Sequence, residues 1–181
     1  MSVLSGKKIL LGISGGIAAY KTANLVRLFI KAGAHVQVIM TPASKDFITP
    51  LTLSTLSKNP VYYGFYNQED ENGKWNNHVE LALWADMMVI APATADIIGK
   101  IANGIADDML STTIMATTAK VIFVPSMNTN MYENPIVQEN IKKLRKLGYI
   151  FVEPESGHLA CNASGKGRFP SLQKIIFRIE R

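Results

Sequence analysis

Ile9-Leu10-Leu11-Gly12-Ile13-Ser14-Gly15-Gly16-Ile17-Ala18-Ala19-Tyr20-Lys21-Thr22 is the stretch that decides the fold. The apolar run Ile9 to Ile13 has no polar alternation, so it reads as a strand buried on both faces. A serine and two glycines interrupt it. A helix-like pattern then runs from Ile17 to Ala32, with Gly33 as its C-cap.

The same alternation continues outward. Val36 to Met40 is a second strand, and Thr49-Pro50 reads as N-cap and first-turn proline of a helix through Leu56. Asn59 to Asn77 is polar and aromatic, with Glu69 to Gly73 expected to be a mobile loop. His78 to Asp86 is a short helix leading into the strand Met87 to Ala91. Ala95 to Thr117 forms a long helical stretch with an interruption at Gly104. Val121 to Val124 is a strand, Pro135 to Leu147 a helix closed by Gly148, and Tyr149 to Val152 a last strand before a helix at Leu172 to Ile179. Buried strands alternating with helices predict an α/β fold, a three-layer Rossmann-like (flavodoxin-like) parallel sheet with helices on both faces.

The chain has 181 residues, 48% hydrophobic and 18% charged, which suits one domain or one domain cut from a longer polypeptide. No apolar run reaches the length of a membrane span, and the first residues lack a signal-peptide cleavage region. A single cysteine excludes a disulfide framework and suggests a reducing, cytoplasmic setting. With three scattered histidines it also makes a zinc site improbable. The net charge of +5 is concentrated in Lys142-Lys143-Leu144-Arg145-Lys146, the solvated face of a helix, with no nucleic-acid signature beside it. A basic excess suits anionic small substrates equally well.

The glycines after the first strand allow backbone N–H groups to approach an anion at a helix start. Two common phosphate sites are rejected. Tyr20 stands where a P-loop needs glycine before its lysine, and neither Val89-Ile90-Ala91 nor Phe123-Val124-Pro125 ends in a magnesium-binding aspartate. The glycines also miss the dinucleotide spacing, and the second strand ends in Met40-Thr41-Pro42-Ala43-Ser44 without an acid for a ribose. Hydroxyls at Ser14, Thr41 and Ser44 suit a single phosphate, as in a mononucleotide such as FMN. The competing structural reading is that the glycines only allow tight strand–helix packing.

A second run, Val124-Pro125-Ser126-Met127-Asn128-Thr129-Asn130-Met131, follows a strand, where open α/β sheets place their ligands. Its amide and two thioethers suit a carboxylate beside a flat polarisable ring. Read alone, it is also a Pro-Ser-Asn turn with both methionines in the core.

Together with Gly15 to Lys21, Thr41 to Phe47, Ala91 to Asp96 and Ile101 to Asp108, this run resembles the flavin-containing cysteine decarboxylases. The match covers nearly the whole chain in order, and it is more similar to the coenzyme A type than to the peptide-modifying type. The resemblance implies FMN held by Ser14, Gly15, Gly16, Ile17, Thr41, Ser44, Phe47, Ala93, Thr94, Ala95 and Met131, and phosphopantothenoylcysteine as the small-molecule substrate. It implies His78 as catalytic base, Asn128 as ligand of the substrate carboxylate, and Cys161, in Gly157-His158-Leu159-Ala160-Cys161-Asn162, as proton donor on a flap over the substrate. The implied chemistry oxidises the substrate thiol to a thioaldehyde, loses CO2 into that electron sink, and re-reduces the enethiolate. The resemblance also implies trimers with flavin at the subunit interface, dodecamers in forms fused to a ligase domain, and His78 serving a neighbour's flavin.

Asn162, Phe169 and Ser126 depart from the family's usual glycine, methionine and alanine. Without the resemblance His78 would be a cap or surface residue, Cys161 a small hydrophobe, and His35 structural, with His158 unassigned. Rival readings are a flavin prenyltransferase, a peptidyl-cysteine decarboxylase, a non-enzymatic flavin-binding regulatory subunit, and a plain nucleotide-binding module.

Overall fold

Residues 3–66, 75–160 and 164–181 are described by a computed structural model. The strands are β1 (Lys8–Ile13), β2 (His35–Met40), β3 (Val61–Tyr62), β4 (Met87–Ala93), β5 (Lys120–Pro125) and β6 (Ile150–Phe151). They form one parallel sheet in the order β3-β2-β1-β4-β5-β6. This is the doubly wound Rossmann order, and it reverses direction between β1 and β4. The expected three-layer parallel architecture is what the chain adopts.

Each face of the sheet carries a core. Ile9, Leu11 and Ile13 of β1 point to one, with Leu25, Val26 and Phe29 of α1 (Thr22–Lys31), Leu53 of α2 (Pro50–Ser57), and Ile175 and Ile179 of α8 (Leu172–Ile179). Leu10 points to the other. There it meets Leu81 of α3 (His78–Trp84), Ile97 and Ile101 of α4 (Ala95–Ala102), Leu110 and Ile114 of α5 (Met109–Ala116), and Leu144 of α7 (Pro135–Lys146). β4 is buried at every position. Each such side chain contributes roughly 1.5–3 kcal/mol of burial, so the central strands anchor the loops that follow them.

Four differences from the sequence reading matter. The helix expected from Ile17 begins as a 3-10 turn, Ile17–Lys21, and becomes α1 only at Thr22. That turn is closed by Ala19 N–H to the Gly16 carbonyl at 2.9 Å, while the Thr22 hydroxyl donates to the Ala19 carbonyl at 2.6 Å. The long helix Ala95 to Thr117 is two helices. Gly104 adopts φ +71° to stop α4, and Asp108 starts α5 by a capping box with Ser111, its side chain accepting from Ser111 N–H at 2.7 Å. The run after β5 contains a short helix, α6 (Thr129–Glu133). Finally, the expected flap is built on an antiparallel hairpin, β7 (Glu155–His158) with β8 (Ser164–Arg168). Alternation of polar and apolar residues, the usual signal for such strands, is absent because both are rich in glycine and charge. The loop expected at Glu69 to Gly73 lies outside the described residues, as do Cys161 and Asn162.

Candidate active site

An open groove of ≈ 940 Å³ lies across the carboxyl ends of β1, β2, β4 and β5, at the point where strand order reverses. Gly15, Gly16 and Ile17 line it from the β1 loop, Thr41 from the β2 loop, and Thr94 and Ala95 from the start of α4. Ser126, Met127, Asn128 and Met131 line it from the β5 loop and α6, and His158, Gly167 and Arg168 from the hairpin.

Local chemistry explains why these loops hold their shape. A Cβ on Gly15 would come within 2.7 Å of the Ala43 Cβ, so glycine lets the β1 and β2 loops touch. The Ser14 hydroxyl donates to the Pro92 carbonyl at 2.5 Å and accepts from Thr94 N–H at 3.0 Å, tying the β1 end to the β4–α4 loop. Thr41 caps the turn Pro42–Asp46 by accepting from Ser44 N–H at 3.3 Å, and the Ser44 hydroxyl donates to the Thr41 carbonyl at 2.8 Å. Thr94 caps α4 through Ile97 N–H.

Asn128 caps α6. Its Oδ1 accepts from Asn130 N–H at 2.8 Å, which fixes the amide so that Nδ2 is its donor end. The hairpin clamps this segment. Met127 N–H donates to the Gly167 carbonyl at 3.0 Å, and Gly167, at φ +134°, lies so close to the Met127 carbonyl that a Cβ would collide with it. Glu153 joins the surrounding elements. It pairs with Arg145 of α7, accepts from the Tyr132 hydroxyl of α6 at 3.3 Å, and pairs with Lys166 of β8 at 3.2 Å. Burial pushes the Glu153 carboxyl up, but Lys166 and Arg145 pull it further down, to below its ordinary value.

The wall opposite carries charge. Lys100 of α4 lies 3.1 Å from Asp107, 3.4 Å from Asp96 and 3.8 Å from Asp108. Burial alone would lower the Lys100 ammonium, but the three carboxylates outweigh it and hold it above the ordinary lysine value. Lys21 sits over the Phe169 ring, 5.7 Å from its centroid, at the groove's other end.

The structure thus brings Gly15, Gly16, Ile17, Thr41, Thr94, Ala95, Asn128 and Met131 into one groove. Met131 is 48% exposed, which removes the reading of this methionine as core. Ser14, Ser44 and Ala93 are buried behind the lining, with both serine hydroxyls bound to main chain. Phe47 is exposed just after the Pro42–Asp46 turn, outside the lining. His78 does not line the groove of its own chain. It is the first residue of α3, after Asn77, whose Oδ1 caps that helix.

Asp96, Lys100, Asp107, Arg168 and Phe169 line the groove without having been singled out from the sequence as site residues. A signal existed for Asp96 and Lys100, which have the i,i+4 spacing of an ion pair at a helix start.

A doubly wound α/β fold with a polar-and-apolar groove at its switch point is the class of protein these features define. The Flavoprotein family profile matches residues 2–181, and the chain belongs to that family. It is 47% identical over 176 residues to the probable phosphopantothenoylcysteine decarboxylase of Streptococcus mutans, which covers 96% of this chain and 97% of that protein. It is 45% identical over 179 residues to the coenzyme A biosynthesis bifunctional protein CoaBC of Bacillus subtilis. That match covers 99% of this chain but 44% of that protein, so the chain spans less than half of the bifunctional relative. Among solved structures, a cysteine-to-serine mutant of PPC decarboxylase complexed with pantothenoylaminoethenethiol superposes with a TM-score of 0.83 at 34% identity, over 96% of both chains.

Proposed function

We propose that this chain is an FMN-dependent carboxy-lyase that converts 4'-phosphopantothenoylcysteine to 4'-phosphopantetheine in coenzyme A biosynthesis. The observation that carries the proposal is the capped Asn128 amide, held in the same groove as Met131 and the Gly15-Gly16 backbone.

The residues present fit a flavin mononucleotide. Bare backbone at Gly15 and Gly16, the Thr41 turn and the start of α4 suit one phosphate. Ile17, Ala95 and Met131 supply an apolar wall for a flat ring, and the groove volume falls in the range of small-molecule sites. FMN, when bound, supplies the reversible hydride exchange that this reaction requires. The Asn128 amide donates to the substrate carboxylate without a charge that would oppose its departure. His78 is the base that moves a proton in this reaction. Cys161, carried over from the sequence alone, supplies the proton in the last reduction.

Because His78 lies outside its own chain's groove, it serves the groove of a second copy. The exposed Val79, Leu83 and Met115 around α3 and α5 favour such contact, with a trimer as the minimal assembly. The 181 residues form one decarboxylase unit, alone or joined to a ligase domain, and act in the reducing cytoplasm, where the Cys161 thiol persists.

The test is to incubate FMN-loaded protein with phosphopantothenoylcysteine and follow CO2 release and product mass. Phosphopantetheine is the expected product. A flavin-loaded protein that converts only peptides ending in cysteine, or nothing, overturns the proposal.

A further inference from the structure

His78 has a surrounding that the reaction scheme does not require. Its Nδ1 atom is buried and has no hydrogen-bond partner among the described residues. A working imidazole is usually oriented by a carboxylate or carbonyl at the nitrogen opposite the reactive one. Here aromatic rings pack against the imidazole instead. Phe65 and Trp75 stack with centroids 5.5 Å apart at 14°. The His78 ring lies roughly perpendicular to both, 6.0 Å from Phe65 at 84° and 6.3 Å from Trp75 at 71° between centroids.

The stack is built rather than incidental. Tyr66 and Trp75 pair as an antiparallel bridge. Asn76 secures that bridge, its N–H donating to the Phe65 carbonyl at 2.8 Å and its side-chain amide to the Gly64 carbonyl at 2.7 Å. Asn77 then caps α3 through Val79 N–H at 3.0 Å and Glu80 N–H at 3.2 Å, which fixes the His78 main chain. Trp75 is 46% exposed, so the sheet core does not need it.

We infer that Phe65 and Trp75 are positioning residues that hold the His78 imidazole by packing and leave Nε2 as its only nitrogen open to proton transfer. With Nδ1 enclosed and unpaired, any exchange with a substrate passes through Nε2. The ring cannot rotate about χ2 without displacing the stack. This inference rests on the reading of His78 as the base.

The experiment uses the FMN-loaded protein and its Trp75→Leu, Trp75→Phe, Phe65→Leu and His78→Asn variants. It measures kcat and KM with phosphopantothenoylcysteine, bound-flavin absorbance, and the side-chain nitrogen shifts of the histidines by ¹⁵N NMR. Trp75→Leu is expected to lower kcat by roughly tenfold or more, as loss of orientation does, with KM and flavin content unchanged. The His78 nitrogen shifts should move toward a tautomer average while those of His35 and His158 stay put. Trp75→Phe, which keeps a ring there, should restore kcat to within about threefold. Phe65→Leu should repeat the pattern, and it carries the test if Trp75→Leu fails to accumulate.

Full kcat in both leucine variants, unmoved His78 shifts, or a loss that phenylalanine does not repair overturns the inference. His78→Asn separates this from the base assignment. An active His78→Asn protein removes the base role itself, whereas an inactive one beside fully active leucine variants removes only the positioning role.

Discussion

Asn128 does two jobs through two ends of one side chain, and substitution can separate them. Its Oδ1 caps α6, and its Nδ2 end is the proposed donor to a carboxylate. Asn128→Asp keeps a capping oxygen but sets a negative charge against the substrate. The variant should bind flavin normally and melt within a shift equivalent to about 1 kcal/mol of the parent, since aspartate caps as well as asparagine. Its decarboxylation should fall by roughly a hundredfold or more, the usual loss when an aligned donor is removed. Calorimetry and a CO2 assay on the same sample check both halves, and parent-like turnover would remove Asn128 from its role. The position was legible because an amide after a strand end is unusual there. The capping geometry was not, since the short helix it starts has no apolar period of its own.

At the scale of elements, the hairpin and α6 form one clamp around the Met127–Asn128 segment. Gly167→Val would force a β-branched residue into positive φ and against the Met127 carbonyl. A cost of roughly 1–3 kcal/mol is expected from the backbone alone. Hydrogen exchange at Met127 N–H, now bonded to Gly167, should accelerate more than exchange in β1 or β4, and equal protection would contradict the clamp. Glu153 gives this clamp a pH dependence. Its carboxyl is held below the ordinary value once folded, so its contribution is complete above the unfolded pKa of about 4.3 and is lost as pH falls through the lower, folded value. The melting difference between the parent and Glu153→Gln should therefore be largest near about pH 6 and shrink below about pH 4. A difference that grows on acidification would mean that Glu153 does not work through its charge.

His78, the proposed base, is not among the residues that line the ligand groove of its own chain. A single copy is thus incomplete for the proposed reaction, and the exposed Val79, Leu83 and Met115 are the proposed contacts of a second copy. Co-expression of His78→Asn and Asn128→Asp chains should give mixed assemblies with measurable activity, because some sites then combine an intact His78 with an intact Asn128. Each variant expressed alone should be inactive. Sedimentation should find the active species at the mass of a trimer or a multiple of it. Activity confined to a monomer fraction would overturn the shared site.

The residues of this chain by themselves determined its buried strands, its cap at Thr49, the order of strand and helix, and the glycine loop. All of these are local: an apolar run needs burial, a glycine permits close approach, and a hydroxyl or amide before a helix binds its first N–H groups. Only the tertiary structure decided that the Ser14 hydroxyl turns inward to the Pro92 carbonyl and Thr94 N–H, and that the hairpin grips α6. It also left His78 out of the lining of its own chain's groove. These depend on contacts between segments far apart in sequence, whose energies appear only once the sheet has set the distances between them.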